Sequence, residues 1–208
     1  MRRYIPAKFT ELKDKFGKDW AGAMGTTQGV PGHGECQRLM SGAKSLVYYG
    51  HGRFLSYVPP SAVACVDLSH CAVAVLACGT SSVEAQRRQV RLDNRKSPAA
   101  RALEEPYQTA ALLSMRGVDT VVLPTFASST EGNAEVLRAV LGANTGKNAE
   151  GGTDVSKAVW MAGAPKPAVE AAEGDAGEGA AAAEPGPPNP PFSQFNFVVY
   201  GVPSVRLV

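Results

Sequence analysis

The sequence predicts an α/β sandwich with a mainly parallel sheet. Three observations lead to that class. Short apolar runs at Ser45–Tyr49, Cys71–Ala77 and Thr120–Leu123 have the length and β-branched content of buried strands. Helical patterns stand between and after them. A last apolar run, Phe195–Tyr200, returns the chain to the core after a stretch of very different composition.

Taken in order, residues 1–34 read as an N-terminal extension. Ala7–Trp20 has weak helical periodicity, and Gly25–Gly34 is a loop by composition. No Lys-Ser/Thr pair follows those glycines, as phosphate chemistry would want. A core spans 35–162. Glu35–Gly42 is a short helix feeding the first strand. Pro59-Pro60 marks a loop after it, and Ser61 is placed to cap one turn through Ala62, Val63 and Ala64. Residues 84–101, with Arg87, Arg88, Arg91, Arg95, Lys96 and Arg101, read as a solvated basic loop.

Glu105–Arg116 is a helix. Pro106 lies in its first turn, Glu104 and Glu105 complement its N-terminal dipole, and Gly117 ends it. Ala110 and Leu113 face the core. Glu131–Leu141 carries Val136, Leu137, Val140 and Leu141 on one side, and Asp154–Met161 forms a further helix with Thr153 as cap. Residues 163–191 are rich in Ala, Glu, Gly and Pro and read as a disordered insertion. Residues 192–208 hold the closing strand.

The whole chain narrows the function classes. It has 208 residues, enough for a core without disulfides or metal, and a net charge of +2 that points to neither nucleic acid nor a membrane surface. No apolar run reaches the roughly 20 residues of a membrane span. The first residues lack the apolar stretch of a secretion signal. The four cysteines, at 36, 65, 71 and 78, form no Cys-x-x-Cys pair, so no zinc site and no cofactor is expected. A reducing compartment with free thiols is the default reading.

The chemistry gathers at two strand ends. The first strand runs into Gly50-His51-Gly52 and the second into Cys78-Gly79. Side by side and parallel, they carry a histidine and a cysteine to one edge of the sheet, where open α/β sheets place their ligands. An imidazole can take a thiol proton and later protonate a leaving group. The backbone N–H groups of Gly52 and Cys78 are the candidate oxyanion donors. The bland alternative is that cysteine is an ordinary small core residue. Cys65 and Cys71 are read that way, and His33 and His70 as surface or capping residues.

The segments Leu46–Gly52 and Val73–Ser81, with Gln108–Leu123 and Phe195–Pro203, resemble the caspase-like CHAT and separase-type peptidases. The resemblance covers roughly 35–203. It implies a caspase-like three-layer sandwich and a cysteine endopeptidase with His51 as general base and Cys78 as nucleophile. In cleaving members of that family, a Trp and an Asp-bearing turn follow the third strand. Here Pro124–Thr130 contains no acidic residue. A narrower resemblance, carried by Tyr49-Gly50, Arg53–Leu55, the Ala110–Ser114 stretch and Phe195–Pro203, is to the cilia- and flagella-associated proteins of the axonemal central apparatus. It implies a cytoplasmic, axonemal protein-interaction module, partnered by other proteins of a large assembly, in which His51, Gly52 and Cys78 are a dormant remnant. The missing pocket features tilt the reading towards this scaffold and away from an enzyme.

Overall fold

Strands that are buried on both faces must be covered on both faces, and this requirement sets the architecture. The computed structural model describes residues 14, 20–23, 31–79, 82–145, 153–163, 196–201, 204 and 205. Among them the strands are β1 (Ser45–Tyr49), β2 (Val73–Ala77), β3 (Thr120–Pro124), β4 (Thr153–Asp154), β5 (Phe197–Gly201) and β6 (Ser204–Val205). The main sheet has the order β1-β2-β3-β5. β1 and β2 run parallel with Tyr49 opposite Ala77, β2 and β3 run parallel with Val75 opposite Val122, and β5 returns antiparallel with Val199 opposite Val122. β4 and β6 form a separate two-stranded ladder.

The helices are α1 (His33–Met40), α2 (Phe54–Tyr57), α3 (Pro60–Ala64), α4 (Val83–Asp93), α5 (Pro98–Ala102), α6 (Pro106–Met115), α7 (Thr130–Thr145) and α8 (Val155–Gly163). Alternation along the strands divides the core in two. Ala74, Leu76, Val121 and Leu123 pack with Met40, Phe54, Leu55, Val63 and Leu113 from α1, α2, α3 and α6. Val73, Val75 and Val122 pack on the opposite face with Val136, Leu137 and Val140 of α7 and Val159 of α8. The result is helices, sheet, helices, the α/β sandwich with a mainly parallel sheet expected from the sequence. β2 and β3 are buried along their whole length. Each fully buried aliphatic side chain contributes about 1.5–3 kcal/mol, so these two strands dominate the stability of the sheet.

Several local readings need correction. The basic stretch is not a loop. It folds into α4 and α5, each started by a serine cap: Ser82 Oγ accepts from the Ala85 N–H and Ser97 Oγ from the Ala100 N–H, both at 3.2 Å. Its apolar face is one buried residue wide, Ala85, so periodicity gave almost no helical signal. Ser61 lies inside α3, whose N-cap is Pro59. The cap of α8 is Asp154, which accepts from the Lys157 N–H at 3.0 Å, while Thr153 belongs to β4. Cys71 is fully buried as expected, but Cys65 is exposed. The helix expected over Glu35–Gly42 starts at His33 and stops at Met40. The Ala7–Trp20 segment, apart from Asp14 and Trp20, most of the Gly25–Gly34 loop, and the 163–191 insertion beyond its first residue lie outside the described residues.

Candidate functional site

The ladder between β1 and β2 continues one residue past the strands, with the Gly50 N–H donating to the Ala77 carbonyl at 3.1 Å. The two chains therefore leave the sheet together, and His51 and Cys78 line the same cleft, of volume ≈ 220 Å³, at the C-terminal edge of the parallel strands. α4 contributes Ala85, Gln86 and Gln89 to one wall, the start of α6 contributes Glu104, Glu105 and Pro106, and the segment after β3 contributes Thr125, Phe126 and Ala127.

Aromatic packing accounts for the two glycines beside His51. The Tyr48 ring folds back over the turn, its hydroxyl donating to the Gly52 carbonyl at 3.1 Å, and it meets Phe54 edge-on at 5.3 Å. A Cβ at Gly50 would lie 2.5 Å from the Tyr48 hydroxyl, and one at Gly52 would lie 2.7 Å from the Tyr57 ring. Only glycine leaves both rings in place. Gly52 is buried behind the cleft, against Tyr57 and Gln89.

The Cys78 N–H, expected as an oxyanion donor, is committed to the Leu76 carbonyl at 3.0 Å. Burial pushes the Cys78 thiol up to about 11, although the Phe54 N–H bonds to the sulfur and the Arg53 charge favours the thiolate. At neutral pH the thiol keeps its proton. His51 moves the other way. Its burial and the nearby Arg88 lower its pKa, opposed in part by Glu84, with which Arg88 forms an ion pair. The cleft thus holds an imidazole kept towards its neutral form and a thiol that holds its proton. This is the frame of a thiol–imidazole pair without the activated nucleophile that thiol chemistry needs.

An ionic cluster at the cleft was not read from the sequence. The Glu104 carboxylate is buried. It lies 3.1 Å from the Arg53 guanidinium, pairs with Lys96, and accepts from the Ser56 hydroxyl at 2.7 Å. Arg53 also pairs with Asp93, and Gln89 donates to the Ser56 hydroxyl at 3.2 Å and to Asp93 at 2.9 Å. The acids of the cleft thus come from the start of α6 and not from the segment after β3. Its partners are distant in sequence, Arg53 and Asp93 being separated by 40 positions, so no local pattern marks it. Arg53 Nε is buried with no hydrogen-bond partner.

Asn196 fixes the mouth of the cleft. Its side chain accepts from the Phe126 N–H and donates to the Phe126 carbonyl, both at 2.7 Å, while its own carbonyl accepts from the Thr125 N–H at 2.8 Å. The Phe126 ring is left 75% exposed on a clamped backbone. Gly79, at φ 75°, is held from the same side by the Ser128 N–H at 3.2 Å. Cys78 thereby ends in a turn that a side chain at position 79 would strain.

The chain is 32% identical over 130 residues, 58% of its length, to cilia- and flagella-associated protein 46 of Chlamydomonas reinhardtii. It spans only 5% of the length of that protein. No protein-family model matches the chain.

Proposed function

We propose that this chain is a structural protein-interaction module of the ciliary axoneme, placed in the central apparatus and built on a caspase-like CHAT fold, with other axonemal proteins as its partners. The observation that carries the reading is the 32% identity over 130 residues to a cilia- and flagella-associated protein. Two features of the site agree with it. The Cys78 thiol is held protonated by burial, and the expected oxyanion donor at Cys78 is already bonded within the turn. An interaction module needs the sheet and its edges, not a primed nucleophile. The test is expression of the tagged chain in a flagellated cell, followed by detergent extraction. The module should remain with the axonemes; release with the soluble matrix overturns the reading.

A second reading, an active cysteine endopeptidase with a His51–Cys78 dyad, is favoured by one observation: both residues line one cleft. Thiol-reactive peptide electrophiles separate the two. The scaffold reading predicts that Cys78 reacts no faster than a free thiol and that His51→Ala changes nothing. Rapid labelling of Cys78 that His51→Ala abolishes establishes the peptidase.

A further inference from the structure

We propose that α4 is a lid over the Cys78 cleft, latched by Asp93 and Gln89 onto the Arg53–Ser56 segment. α4 covers the cleft wall through Ala85, Gln86 and Gln89, yet it has little apolar attachment to the body. Ala85 is its one buried residue, Leu92 is half-buried, and Val83 and Val90 are 64% and 56% exposed. Polar bonds tie it down instead. Asp93 at its last turn pairs with Arg53, and Gln89 one turn earlier donates to Ser56. Beyond the helix, Lys96 is anchored on the buried Glu104. An amphipathic helix normally adheres through a broad apolar stripe. One that adheres through a few half-buried polar bonds opens locally at far lower cost than the core. Because the partners of the latch, Arg53 and Ser56, sit on the segment that follows His51, release of α4 widens access to the half-buried His51 and Cys78 together.

Two measurements on the full chain test this. Hydrogen exchange of the wild type should show α4 amides exchanging by local opening, at least about a hundredfold faster than those of β2 and β3. Asp93→Asn removes the charge of the latch with little change in shape. It should raise the rate of Cys78 alkylation by a small maleimide about tenfold, the scale of one lost charge-assisted hydrogen bond. Cys71, fully buried in the core, reports global unfolding in the same sample and should be unchanged. The proposal is overturned if α4 amides exchange in step with β2, if Asp93→Asn leaves Cys78 unaffected, or if Cys78 and Cys71 accelerate together. Should the variant not fold, the wild-type exchange pattern alone decides.

Discussion

The Gly50 N–H donates to the Ala77 carbonyl at 3.1 Å, and this bond carries the parallel ladder beyond the strands far enough to turn His51 and Cys78 out at one edge. Its position depends on Gly50 having no side chain, because the Tyr48 ring occupies that space. Gly50→Ala should therefore destabilise the fold by about 1–3 kcal/mol, the usual scale of overpacking, read as a lowered urea midpoint. An unchanged midpoint would mean that Tyr48 moves aside freely.

Backbone geometry makes a stronger demand at Gly117, which ends α6 at φ 103° with its Cα turned towards the Ser69 backbone. A Cβ there would lie 2.6 Å from Ser69 Cα. The left-handed conformation alone costs a non-glycine residue about 1–2 kcal/mol, and the clash adds to it. Gly117→Ala should lower stability by at least about 2 kcal/mol in chemical denaturation.

Core and surface aliphatics should separate cleanly. Leu76 and Leu113 are fully buried between the sheet and α6, so Leu76→Ala should cost about 2–5 kcal/mol. Val90→Ala, on the exposed side of α4, should stay within about 0.5 kcal/mol of wild type. Equal effects would contradict the assigned packing.

The thiols predict an alkaline limit. Burial raises Cys78 and Cys71 from 9.0 to about 11, so the folded state holds protons that the unfolded state releases first. Their contribution to stability is complete below about pH 9 and is lost as pH rises towards 11, by about 1–3 kcal/mol for each thiol. Urea midpoints across that range should fall for the wild type and fall less for Cys78→Ala. Identical slopes would show that Cys78 is not held protonated.

Native-state alkylation with peptide mapping checks the cysteine assignments directly. Cys65 is exposed and Cys71 buried. Cys65 should label in the folded protein, and Cys71 only under denaturing conditions.

What the sequence revealed follows the reach of the interactions involved. Thr120–Leu123 was legible as a strand because burial on both faces demands a continuous apolar run, and the half-buried edge strand Ser45–Tyr49 by its short apolar run bounded by Gly50. Pro106 and Gly117 marked the ends of α6 through purely local backbone effects. That the chain segments of His51 and Cys78 reach one cleft was legible because strand ends in a parallel sheet share an edge. The helix α4 was not legible, because its attachment is polar and its buried face is Ala85 alone. The Arg53–Glu104 cluster was missed for a related reason: charged residues far apart in sequence carry no periodic sign of pairing. The committed Cys78 N–H follows from a tight turn at Leu76–Cys78, which composition does not encode.

The most direct measurement is co-sedimentation of the purified chain with isolated axonemes, wild type beside Cys78→Ser. An interaction module with a dormant thiol predicts saturable sedimentation of both proteins with the same affinity. Failure of the wild type to bind, or binding that is lost with Cys78, would contradict it.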